Sequence, residues 1–190
     1  MSERTRETQG LEVTILETDR LTLRRLSMDD AEFILALLTD PAFLRYIGDK
    51  GVRTIADARD YIETGPVASY DQFGFGLYLV VAKKRNTPIG MCGLLKRESL
   101  PDADIGFAFL PQHRSKGYAL EAARAVLAYG RDKLGLERIL AITDPENAGS
   151  IRILQQIGLR FERVVRLSDD AKELQLYTTD GVESEVNEAP

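Results

Sequence analysis

Arg114-Ser115-Lys116-Gly117-Tyr118-Ala119 constrains this chain more than any other stretch. It follows the apolar run Ile105–Leu110 and opens an apolar-periodic segment, Ala119–Leu134. A strand, a short basic loop with one glycine and a helix start, in that order, present free backbone N–H groups at the positive end of a helix. That is a device for holding phosphate. The spacing excludes two other phosphate loops. No Gly-Lys-Ser/Thr follows a first Gly at the P-loop interval, and the triple glycine of the dinucleotide fingerprint is absent.

The bulk properties narrow the setting. A chain of 190 residues is expected to form one domain that buries about 70% of the surface its unfolded form exposes. No apolar run approaches the ~20 residues of a membrane span, and Met1–Gly10 lacks the apolar core of a signal peptide. The single cysteine, Cys92, excludes an internal disulfide and fits a reducing cytoplasm. One His and one Cys argue against a metal site of the usual ligand types. A net charge of −5 argues against nucleic-acid binding, which needs a basic face, and favours cationic partners such as amines.

Along the chain, residues 1–10 read as a disordered lead, 11–180 as one domain and 181–190 as an acidic tail. Leu21–Leu26 alternates as a strand, and Ser27 or Asp29 caps a helix through Ala31–Leu38. Pro41–Ile47 adds a helical turn. Thr54 with Asp57 forms a variant capping box for a helix to about Ile62, and Gly65–Gly74 reads as a loop. Gly76–Ala82, Ile89–Lys96 and Ala103–Leu110 are strands joined by turns. Ala119–Leu134 is a helix ended by Gly135. Arg138–Thr143 is a buried strand, Asn147–Ile157 a helix, and Leu159–Leu167 and Glu173–Thr179 two further strands.

Arg-x-x-Gly-x-Ala at 114–119 resembles the pyrophosphate-binding loop of the GNAT N-acetyltransferases, and the element order is the one expected of that fold. The resemblance covers roughly Leu21 to Asp180. It implies an α/β (α+β) architecture: a mixed, mostly antiparallel central sheet of about six or seven strands flanked by about four helices. Asn147 and Ser150 ahead of an apolar helix, with the exit Gly158, Leu159, Phe161, resemble the second signature region of the RimL/RimJ-like branch. The resemblance implies an acetyl-CoA-dependent N-acetyltransferase that moves the acetyl group directly to a primary amine, a protein N-terminus or a small molecule. Many members pair through their sheets, so a homodimer is among the expected assemblies. A chain that kept the acetyl-CoA pocket as a sensor without turnover is the alternative.

By the same resemblance, the cofactor's phosphates fall to the backbone of Arg114, Ser115, Lys116, Gly117, Tyr118 and Ala119. Gly117 allows close approach without a Cβ. The strand Ala103–Leu110 is expected to splay from Arg138–Thr143, so that backbone groups near Phe109 and Leu110 meet the pantetheine arm and the thioester carbonyl. Asn147 is read as a cofactor contact and also as a helix cap. The helix Tyr that many members use as general acid is Leu154 here, so the acid falls to Ser150, a water or a Tyr from elsewhere such as Tyr177. Asp104, heading its strand, is the candidate base, with Glu98, Asp102 and His113 as weaker ones. Cys92 reads as a core residue and Glu121 as structural. Tyr46, Tyr70, Phe73 and Phe75 either wall an acceptor groove or pack the core.

Overall fold

The computed structural model describes residues 13–168 and 171–179, so the expected lead and tail lie outside the described residues. The chain runs β1 (Thr14–Glu17), β2 (Leu21–Arg24), α1 (Ala31–Leu38), α2 (Pro41–Tyr46), α3 (Ile55–Ile62), α4 (Ala68–Phe73), β3 (Leu77–Ala82), β4 (Thr87–Leu95) and β5 (Asp104–Phe109). It continues through α5 (Tyr118–Asp132), β6 (Leu140–Thr143), α6 (Ala148–Gln156), β7 (Arg160–Val165) and β8 (Leu174–Thr178). One sheet holds eight strands in the order β1-β2-β3-β4-β5-β6-β8-β7. Every neighbouring pair is antiparallel except β5–β6.

Two expectations are corrected. The sheet has eight strands among the described residues, more than the six or seven expected, because Thr14–Glu17 adds an edge strand. Its four residues are half-exposed and meet β2 through a bulge, so no period-two signal marks them. The stretch Gly65–Gly74 is helical as far as Phe73, not a loop. α3 widens into a π turn, Glu63–Val67, that holds Pro66 and then continues as α4. Tyr70 explains why packing overrides the Gly and Pro signals there. Its ring stacks on Tyr78 with centroids 5.6 Å apart. Its hydroxyl accepts from Leu26 N–H at 3.2 Å and donates to the Leu77 carbonyl.

Helix starts follow local chemistry. The Thr54 hydroxyl accepts from Asp57 N–H at 3.2 Å, and the Asp57 carboxylate accepts from Thr54 N–H at 2.8 Å. Asp30 closes a similar box on Ser27 and also grips both terminal nitrogens of Arg24, at 2.8 and 2.7 Å. That buried pair ties the end of β2 to the start of α1.

The sheet separates two cores. One packs α5 and α6 against one face, and the other packs α1 and α3 against the opposite face. On α5, Ala122, Ala123, Val126, Leu127 and Gly130 form a single buried stripe; each larger side chain among them stabilises by about 1.5–3 kcal/mol. β5 alternates between the faces: Ile105, Phe107 and Phe109 join the α5 core, while Ala108 and Leu110 pack on the α1–α3 side. No helix among the described residues is long and apolar enough to cross a membrane.

Candidate active site

β5 and β6 pair at one register position only, Asp104↔Leu140, reinforced by Leu140 N–H donating to the Ala103 carbonyl at 2.9 Å. Beyond it the strands part, each held by its other neighbour, and a V opens in the sheet. Leu110 N–H is taken by the Ile89 carbonyl at 3.1 Å. Backbone alternation therefore turns the N–H groups of Phe107 and Phe109 away from β4 and into the V. Of the two residues expected there, Phe109 offers its N–H to the gap and Leu110 does not.

A cavity of about 1100 Å³ passes through this V. At one end it reaches the loop before α5, at the other the helix layer of α1–α4. The loop carries two left-handed residues, Ser115 (φ 59°) and Gly117 (φ 79°), which curl the backbone so that successive N–H groups converge. Among the described residues, the N–H groups of Lys116, Gly117, Tyr118 and Ala119 donate no hydrogen bond. Gly117's positive φ favours glycine, and a Cβ there would stand 3.2 Å from the Arg20 guanidinium and press on that brace.

The loop's shape is held by side chains. Arg114 donates from Nε to the Phe109 carbonyl at 2.8 Å and pairs with Asp40, which also caps α2. Lys116 donates to the Gln112 carbonyl at 2.7 Å. Glu121, one turn into α5, accepts from the Thr18 hydroxyl at 2.6 Å, the Arg20 N–H at 3.1 Å and Arg20 Nε at 2.6 Å. Arg20 in turn donates to the Lys116 carbonyl at 3.0 Å and lies over the Tyr118 ring at 4.6 Å. Partial burial pushes the Glu121 carboxyl up, but the bonds from Thr18 and Arg20 outweigh it and hold the group below its ordinary range. No sequence pattern links Arg20 to the loop, because 96 positions separate it from Lys116.

On the far side of the V, α6 starts at Asn147, whose side-chain oxygen accepts from Ser150 N–H at 3.1 Å. Both residues line the cavity, and the Ser150 hydroxyl makes no hydrogen bond among the described residues. Leu154, 2% exposed, fills the position of the missing helix Tyr. Tyr177 does not replace it: its hydroxyl is 2.9 Å from Gln175 Oε1, its ring meets Phe161 edge-on, and it does not line the cavity. The tyrosines that do line it are Tyr46, Tyr61 and Tyr118.

Asp104 sits at the closed end of the V, 1% exposed, with Arg97 Nε 2.9 Å from its carboxylate. Burial pushes its carboxyl up, opposed by the Arg97 charge. Asp102 reaches Arg138 instead, at 3.7 Å, and Glu98 is exposed in its turn. His113 lines the loop end of the cavity; burial, then the Lys116 charge, hold its imidazole below the ordinary value. Cys92 is in the core, its thiol pushed far up by burial. The four aromatics divide: Tyr70 and Phe75 pack the core, whereas Tyr46 and Phe73 line the cavity. Lys50, Tyr61 and Arg97 line the same arm as Asp104, and no sequence pattern links them.

Residues 20–160 match the family model described as acetyltransferase (GNAT) domain. The chain is 34% identical over 154 residues to the uncharacterized N-acetyltransferase YoaA of Bacillus subtilis (strain 168), spanning 80% of this chain and 86% of that protein. An acetyltransferase of the GNAT family from Bacillus anthracis superposes with a TM-score of 0.71 at 28% identity, covering 85% of this chain and 95% of that one. The RimL ribosomal L7/L12 alpha-N-protein acetyltransferase superposes at 0.76 with 13% identity, over 92% of this chain and 97% of that one, a likeness of fold alone.

Proposed function

The chain belongs to the GNAT acetyltransferase family, and from that premise we propose that it transfers the acetyl group of acetyl-CoA directly to a primary amine. The observation that carries this reading is the cavity that joins the bare N–H groups of the loop to the opposite face of the sheet through the β5–β6 gap. Two co-substrates can then enter from opposite ends and meet within it. Acetyl-CoA supplies an activated acyl carbon and a thiolate leaving group.

The loop fits its phosphates. The converging amides from Ser115 to Ala119 and the positive end of α5 would hold them, with the Arg20–Glu121 brace fixing the curl. The N–H groups of Phe107 and Phe109 would pair with the amides of the pantetheine arm, and one of them would polarise the thioester carbonyl. The Asn147 side chain caps α6 with its oxygen, which leaves its amide nitrogen for the arm. The Ser150 hydroxyl would deliver a proton to the departing sulfur. Asp104 is the candidate base: the burial that raises its proton affinity suits it to take a proton from an ammonium, directly or through water. Once the ammonium has given its first proton to Asp104 or water, the amine nitrogen bonds to the acyl carbon and the carbon–sulfur bond breaks; the second proton the nitrogen loses replaces the one that Ser150 passes to the sulfur. An acceptor built like a protein N-terminus or a small amine fits the open helix-side mouth lined by Tyr46 and Phe73.

Release of free thiol from acetyl-CoA, followed across a panel of peptides and small amines, tests the proposal. Thiol release that depends on an added amine, with a stoichiometric N-acetyl product, is the expected result. Acetyl-CoA binding with no transfer to any amine would reduce the chain to the sensor reading.

A further inference from the structure

The acceptor arm carries a charge pattern opposite to that of the whole chain. The protein is net acidic, at −5, yet apart from the loop and α6 the charged side chains lining the cavity are Lys50, Lys96, Arg97 and Asp104, with Asp144, held by Lys172, just after β6. Asp104 is already spoken for by Arg97 Nε. Lys96 is occupied by the carbonyls of Leu100 and Pro101. Two groups are left over. The terminal nitrogens of Arg97 and the ammonium of Lys50 make no hydrogen bond or ion pair among the described residues. Burial, and then the neighbouring Arg97 charge, hold the Lys50 ammonium below its usual range. Asp57 and Asp60 flank Lys50 in a shallow recess, but neither pairs with it, and Asp57 is committed to the cap of α3.

Arg97 holds the internal carboxylate of Asp104 through Nε alone, and the exposed Lys50 lies close enough to feel the Arg97 charge, so this part of the cavity has room for one more anion. Resting on the transferase reading above, we propose that the acceptor amine carries a carboxylate, which the Lys50 ammonium and the free Arg97 nitrogens receive. With it bound, two positive groups face two negative ones. The planar fork of Arg97 suits a carboxylate oxygen while its Nε keeps Asp104. The same pattern works against polyamines, whose extra ammonium groups would meet Lys50 and Arg97 as like charges. Tyr61, lining the same arm, stays neutral because burial raises its hydroxyl, so it adds a donor without adding a negative charge.

The test is competition between hexapeptides with free N-termini and amidated C-termini that differ only in carrying Glu, Gln or Lys at positions two to four, with spermidine alongside. N-acetylation is read by mass spectrometry, and acetyl-CoA affinity by calorimetry in the same preparations. The Glu peptides are expected to be acetylated with a kcat/KM at least about fivefold above the Gln peptides, the scale of one partly exposed ion pair. Lys50→Gln should erase the difference and Lys50→Glu reverse it towards Lys peptides and spermidine, with acetyl-CoA affinity unchanged in both. Lys50 is preferred to Arg97 as the target because losing Arg97 would orphan the buried Asp104. Equal acetylation of Glu and Gln peptides, a preference that survives Lys50→Gln, or acetyl-CoA binding with no transfer to any of these amines would overturn the proposal. A wild-type protein that does not bind acetyl-CoA would bring down the transferase reading instead.

Discussion

The two ends of the cavity are built by different means. The loop end is made of backbone from one short run, 114–119, shaped by two left-handed residues and the start of α5. The far end is made of side chains: Lys50 from the link between α2 and α3, Tyr61 from α3, Arg97 from beyond β4 and Asp104 from β5. Backbone amides are aimed mainly by the local run of strand, loop and helix, here braced from outside by Arg20 and Asp40, so the first end recurs wherever that order repeats. Side chains from separate elements meet only after the sheet has formed, so the second end is free to differ between relatives. On the function proposed here, the loop end carries what the family shares, and the far end is where this chain's own acceptor specificity would be set.

The sharpest way to break that contrast is Gly117→Trp. An indole at this position would cover the free amides, and its Cβ would press on Arg20, while the acceptor arm stays untouched. Acetyl-CoA affinity should fall on the order of 100-fold, about 2.7 kcal/mol, by calorimetry. Unchanged affinity would remove the loop from the site. Ser150→Ala comes next. Its backbone N–H keeps the cap on Asn147, so acetyl-CoA affinity should move little while kcat falls by about tenfold or more, measured by thiol release under saturating acetyl-CoA. Equal losses in affinity and turnover would make Ser150 a binding residue only.

Arg20→Ala sharpens the contrast from outside the loop. It removes the donor to Lys116 and Glu121 without altering any residue from 114 to 119. Acetyl-CoA affinity should weaken by about fivefold, on the scale of one charged hydrogen bond, with no change in KM for the amine. The smallest effect concerns pH. Glu121 is held below its ordinary value of 4.5, so its ionised form stabilises the fold above that pH. The contribution is lost as pH falls through the lower folded-state value. Melting curves of wild type and Glu121→Gln should therefore differ at neutral pH and converge under acid conditions. A gap that stays constant would mean that Glu121 does not brace the loop through its charge.

The same division explains what the sequence made legible. Strand alternation is enough to set Ile105, Phe107 and Phe109 opposite Ala108 and Leu110, the split that the structure shows. The capping signals at Thr54 and Asn147 correspond to real caps. All of these depend on neighbours a few positions apart. In Gly65–Gly74 the Gly and Pro breakers point to a loop, but Tyr70 overrules them through its bonds to Leu26, just past β2, and to Leu77 in β3. Which amides near Phe109 and Leu110 are free depends on strand phase, set by the pairing of Leu110 with Ile89, and no local pattern carries that. Arg20, Lys50 and Arg97 were invisible because each acts on a partner or cavity that only the folded sheet assembles. Net charge speaks for amines as a class, but it is a sum over the whole chain and says nothing of which charges line the cavity.

The central claim is that one continuous cavity takes acetyl-CoA through the loop before α5, and calorimetric titration of the wild-type protein with acetyl-CoA, with ATP as comparator, tests it most directly. Saturable binding of acetyl-CoA in the micromolar range, with none for ATP, is the predicted result. Absence of acetyl-CoA binding, or equal binding of ATP, would contradict it.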